Sequence, residues 1–123
     1  VFYRNSPSGA LGMALHEIVH FLWFDRWNAL FHDDPAEYET PHLKWIFSEM
    51  CVRPILGEPR LAERNPYYPG ECVYEYFYTM TVGGRPVLET MEELFAQRSM
   101  DQFMVDGYRY CQEHEAEILR QMR

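Results

Sequence analysis

Cysteine is scarce in this chain, and what there is does not pair. Cys51, Cys72 and Cys111 are odd in number and far apart, which excludes a disulfide framework and a C-x-x-C zinc knuckle. Reduced thiols in a cytoplasmic setting are the expectation. Clustered basic residues are lacking too: 11 Lys and Arg are scattered among 19 Asp and Glu, for a formal charge of −8. A surface that tracks phosphates needs the opposite pattern, so nucleic acid is not an expected partner. The longest apolar stretch is interrupted by His16, Glu17 and His20 well short of a membrane span, and no basic-then-apolar leader is present. No membrane partner is expected. Repeats and low-complexity tracts are also missing. The chain opens on Val1 and enters its first strong pattern by residue 10, from which an upstream portion is expected.

Apolar and aromatic residues, at 47% and 16%, are plentiful, enough for one domain over residues 1–123 with a real core. The periodicity points to a mainly α fold, with α+β open through one extended stretch. From Ala10 to Phe31, apolar residues cover most of a helix circumference, as in a buried central helix, with Asn5 to Gly9 as its start and Asp33-Asp34-Pro35 as its stop. A second helix opens at Thr40-Pro41 and runs to about Arg53, since Pro54 disfavours helical geometry in the residue before it. Residues 57–71 read as a loop with one short helical turn. "CVYEYFYTMTVGGRP", residues 72–86, reads as a strand entering a turn at Gly83-Gly84. Val87 to Arg98 forms a short helix, and Ser99 with Gln102 resembles a capping box for a last helix to about Met122. The Met and aromatic stripe of that last helix is read as core or interface.

The polar residues inside "ALHEIVHFLWF", residues 14–24, ask for a partner, because imidazole and carboxylate groups are costly to bury unsatisfied. Residues four apart on a helix project side by side, so His16 and His20 aim at a common point where two neutral imidazoles can ligate one zinc ion. Glu17 flanks that point, where its carboxylate can reach water on the metal. The competing reading makes His16 and His20 core histidines bonded to carbonyls or carboxylates, with Glu17 at the surface. His32, at the end of the first helix, and His114, among Glu113, Glu115 and Glu117, read as structural.

This His-Glu-x-x-His arrangement, with the uncharged "MALHEIVHFL" around it, resembles the zincin metallopeptidases. Trp23 and Arg26 stand where a metzincin would have glycine and a third histidine, which excludes that subclass. The resemblance is to the gluzincins, whose third ligand is a glutamate on a second helix. "PHLKWIFSEMCV" supplies Glu49, 29 residues beyond His20. The other reading of Glu49 is a surface residue on a polar stripe with Lys44 and Ser48. Family members tend to carry an orienting aspartate four residues later, where this chain has Arg53, and Asp25 is a candidate for that support. His42, seven residues before Glu49, could donate to a developing oxyanion or could be a first-turn histidine bonded to solvent; Tyr38 and the tyrosines from Tyr67 to Tyr78 compete for the role. Asp33, Asp34, Glu37 and Glu39 read as a solvated acidic loop, the other reading being a metal ligand from it in place of Glu49. From "LHEIVHFLWFDRW" through "PHLKWIFSE" the chain is similar to a small group of bacterial single-domain His-Glu-x-x-His proteins.

The resemblance implies hydrolysis of a peptide or protein substrate. Zinc, held by His16, His20 and Glu49, polarises the carbonyl and acidifies water, and Glu17 carries the proton to the leaving amine. Zincins hold their substrate against an edge strand before the motif helix, a place "VFYRN" could end. A non-catalytic zinc module and a metal-free helical interaction domain are the alternatives from other classes.

Overall fold

The computed structural model describes residues 7–33, 35–39, 42–64 and 75–122, the side chains of 7–13 excepted. The expectations for "VFYRN", for the Thr40-Pro41 start, and for Asp34, Tyr67, Tyr68, Cys72 and Tyr74 fall outside these residues. The chain is mainly α: α1 (Pro7–Phe31), a 3-10 turn (Pro35–Tyr38), α2 (Leu43–Leu56), α3 (Pro59–Arg64), α4 (Glu75–Thr79), a hairpin of β1 (Thr81–Val82) and β2 (Arg85–Pro86), α5 (Val87–Ala96), α6 (Met100–Glu113) and α7 (Glu115–Gln121).

The central helix is α2, which corrects the expectation for α1. Every residue from Ile46 to Val52 is buried, because α2 packs against α1, α5 and α6 at once. Among its described side chains, helix α1 buries one stripe, His16, Val19, Trp23 and Trp27, at helical spacing. Ile18, Phe21 and Leu22 turn outward and are exposed. A second correction concerns Pro54, which lies inside the last turn of α2 instead of ending it. Proline there removes a single N–H, and burial of Pro54 and Leu56 carries the helix one turn further, to Gly57, whose N–H bonds Arg53 O at 2.9 Å.

Aromatic rings join the three long helices. Trp23 and Trp27 of α1 meet Phe47 of α2 edge to face at 5.2 and 6.1 Å between centroids, and Phe103 of α6 closes the cluster 5.7 Å from Phe47. Gly107 lets α6 come this close: a Cβ there would stand 2.5 Å from Phe47 Cζ. Phe47 is fully buried among rings and cannot retreat. Gly107→Ala gains helix propensity worth up to about 1 kcal/mol but must displace a packed ring, so we expect a net loss of about 1–2 kcal/mol and a Tm lower by several degrees in thermal unfolding. A raised Tm would show that Phe47 has room to yield.

The segment read as a strand is helical over Glu75–Thr79, since its buried residues Phe77 and Met80 are three apart, the period of a helix face. The turn is where the sequence places it: Gly83 and Gly84 at φ +61° and +80° make the two-residue link between Val82 and Arg85. The last helical stretch is divided at His114, contrary to the single helix expected. The break lets α7 bury Ile118 and bring Gln121 to the hairpin, where it accepts from Thr81 N at 3.0 Å and donates to Thr81 O at 2.7 Å. Ser99 caps α6 by accepting from Gln102 N at 3.2 Å.

Candidate metal centre

Two helices deliver the site. On α1, His16 and His20 lie one turn apart on the stripe that faces α2; on α2, all-round burial brings Glu49 to the same contact with 3% of its surface exposed. The surface-stripe reading of Glu49 is thereby overturned. The His16 and His20 Nε2 atoms are 3.0 Å apart, His20 Nε2 is 2.9 Å from Glu49 Oε1, and His16 Nε2 is 3.2 Å from Glu49 Oε2.

Those three separations suit a shared cation. Ligands about 2.0–2.2 Å from a tetrahedral zinc stand roughly 3.3 Å from one another; the two Nε2 atoms and the His20–Oε1 pair are near that spacing, His16 meets the carboxylate's other oxygen, and one donor atom from each residue lies within 4.8 Å of the others. Hydrogen bonding alone fits less well. Each Nε2 carries at most one hydrogen, and two Nε2–H groups 3.0 Å apart would oppose each other. Glu49 Oε2, although near His16, is a buried oxygen without a hydrogen-bond donor among the described residues. Burial by itself would raise the Glu49 carboxyl, but the imidazoles of His16 and His20 outweigh it and hold the group below the usual carboxylate range. The donor set, two imidazoles and one carboxylate, therefore fits zinc, with room for a further ligand on the open side.

That side is an open cleft of about 570 Å³, walled by Glu17, His20, Phe21, Phe24 and Asp25 from α1, Tyr38 from the 3-10 turn, and Trp45 and Glu49 from α2. Glu17 is exposed and shares this wall with His20 and Glu49, while His16 lies deeper. Asp25 is exposed and makes no hydrogen bond or ion pair among the described residues, so it does not orient the histidines. Arg53, four residues after Glu49, pairs with Glu92 at 3.1 Å. His42 is at the N-cap of α2, exposed, seven residues before Glu49, and is not among the residues that line the cleft. Tyr38 does line it, with its hydroxyl 2.5 Å from Asp33 Oδ1.

The cleft's aromatic walls were not singled out in the sequence, although the signal is there. Phe21 and Phe24 follow Glu17 by four and seven residues, and Trp45 precedes Glu49 by four, so each belongs to the helix face that bears the site.

Asp33 is no member of a solvated loop. It accepts from Trp27 Nε1 at 3.0 Å, Tyr38 Oη at 2.5 Å and Lys44 Nζ at 2.7 Å, tying the end of α1 to the 3-10 turn and α2. Burial would raise its carboxyl, but the Lys44, Tyr38 and Trp27 donors bring it below the ordinary 3.8. A carboxyl lowered by folding contributes stability that is complete above the unfolded pKa and is lost as pH falls through the folded one. Asp33→Ala should thus cost about 1–3 kcal/mol at pH 7 and less below the ordinary aspartate pKa, as urea unfolding at several pH values would show. An equal cost at all pH values would assign the effect to packing.

Comparison with protein-family models, with curated proteins and with solved structures finds no match, so function is argued from the site itself.

Proposed function

We propose that the protein is a zinc-dependent metallopeptidase. The observation that carries this reading is the convergence of His16 and His20 Nε2 with the Glu49 carboxylate, at 2.9–3.2 Å, on the wall of a cleft that also holds Glu17. Zinc bound there supplies Lewis acidity to a substrate carbonyl and lowers the pKa of water toward neutrality. Glu17 is the general base, taking a proton from the attacking water and returning it to the leaving amine. His16, His20 and Glu49 hold the metal, and the open cleft admits a peptide. The resemblance of "LHEIVH" to the zincin motif agrees with these roles. No helix among the described residues is long and apolar enough to cross a membrane.

One observation favours a second reading, in which zinc only fastens α1 to α2. Among the described residues the sole strands are β1 and β2, and β1 is bonded to α7 rather than set beside the cleft as a substrate rail. Zinc-loaded protein incubated with a peptide library, followed by mass spectrometry, separates the two. Cleavage that is lost on chelation and absent from Glu17→Gln supports the peptidase; an intact library with zinc in place supports the structural module.

A further inference from the structure

The ring of a histidine turns easily about its last torsion, so an imidazole that binds a metal is ordinarily fixed by a carboxylate or carbonyl bonded to its second nitrogen. His20 has no such bond among the described residues. Its contacts with His16 at 3.0 Å and with Glu49 at 2.9 Å are both made through Nε2. Asp25 is exposed and Arg53 is paired with Glu92 at 3.1 Å, so neither supplies the bond. What the His20 ring does meet is a stack. Phe24, one turn further along α1, lies parallel to it within 13° with centroids 6.2 Å apart, and Tyr38 of the 3-10 turn lies parallel to Phe24 within 16° at 4.4 Å. A phenyl ring turns as easily as an imidazole, so a stack orients its last ring only when its first is held. Tyr38 is held. Its hydroxyl donates to Asp33 Oδ1 at 2.5 Å, and Asp33 is fixed in turn by Trp27 Nε1 at 3.0 Å and Lys44 Nζ at 2.7 Å. Trp27 is 1% exposed, so this series of contacts ends in the core.

We propose that Phe24 and Tyr38 are positioning residues for the metal: a stacked column pinned at Asp33 that fixes the plane of the His20 ring and keeps Nε2 aimed at the point shared with His16 and Glu49. The proposal rests on the zinc site assigned above for its effect on affinity. Ring stacking here takes the part that a hydrogen-bonded carboxylate plays at other zinc histidines. The column belongs to the protein alone, so His20 is oriented before the metal arrives, and binding costs less ordering than a freely turning ring would demand.

The test is zinc affinity, measured by competition with a chromophoric chelator, for wild type, Phe24→Leu, Tyr38→Leu, the double variant and Phe24→Tyr. The expected result is that each leucine variant weakens zinc about three- to tenfold, that the double variant is little weaker than the worse of the two, and that Phe24→Tyr, which keeps the ring, stays close to wild type. The second readout is the NMR signals of the carbon-bound His20 ring protons in metal-free protein. They should move in Phe24→Leu and also in Tyr38→Leu, where the deleted ring is the far one of the stack. Tyr38 is half-buried, and Tyr38→Leu carries the test alone should Phe24→Leu not fold. Unchanged zinc affinity in both leucine variants, independent losses that add in the double variant, or His20 signals that Tyr38→Leu leaves in place would each overturn the proposal. Failure of the metal site looks different: wild type itself then binds no zinc, and the column's role in affinity falls with it, whereas failure of the column alone leaves wild type and every variant binding zinc equally.

Discussion

Zinc added to metal-free protein is expected to raise its Tm by about 10–20 °C at a free concentration a thousandfold above Kd, and Glu49→Gln is expected to abolish most of that rise. The magnitude follows from linkage: a ligand that binds only the folded chain at that ratio adds about 4 kcal/mol, and a domain of this size shifts by about 3–5 °C per kcal/mol. The site exists only when α1 and α2 are packed, because His16 and His20 come from one helix and Glu49 from the other. Metal binding is therefore coupled to folding. Removing one of three protein ligands should weaken zinc by roughly 3–4 kcal/mol, a factor of 10²–10³, when a zinc site of this kind is worth about 10–16 kcal/mol in all. The comparison uses the zinc-dependent increment of each protein, so any change in the metal-free stability of Glu49→Gln drops out. Calorimetric melting with and without zinc makes the measurement. An equal rise in both proteins would remove Glu49 from the ligand set.

Glu17→Gln should separate chemistry from structure. Glu17 is exposed and makes no hydrogen bond or ion pair among the described residues, so the amide should leave Tm and zinc content unchanged. Without a carboxylate to take the proton from water, hydrolysis should fall by about 10²–10⁴ in kcat, with KM little altered. Full activity in Glu17→Gln would assign the base elsewhere, and Asp25, on the same wall, would be the next residue to change.

How far the site was legible in the sequence depended on what each residue's neighbours are. His16, Glu17 and His20 could be placed relative to one another because four-residue spacing on one helix needs no knowledge of the rest of the chain. Glu49 came from the resemblance, and its burial in the middle of α2 follows from the apolar residues on every side of it, Ile46, Phe47, Met50 and Val52. What could not be read was which helix is central. The composition of α1 is apolar all round, yet the described packing covers one side of it, and the outward Ile18, Phe21 and Leu22 look no different in sequence from Trp23. The solvated reading of Asp33 fails for a similar reason. Its donors, Trp27, Tyr38 and Lys44, lie on three separate elements, and only the tertiary turn brings them together. The strand reading of 72–86 holds for Thr81–Val82, which enters the turn, and fails over Glu75–Thr79, where the three-residue spacing of the buried Phe77 and Met80 outweighs aromatic and β-branched composition.

The central claim, a zinc site made by His16, His20 and Glu49, is tested most directly by elemental analysis after dialysis against metal-free buffer, with wild type and Glu49→Gln side by side. About one zinc per chain in wild type and little or none in Glu49→Gln is the predicted result. A wild type that retains no metal, and takes up none when zinc is supplied, would contradict the claim and return His16 and His20 to the status of core histidines.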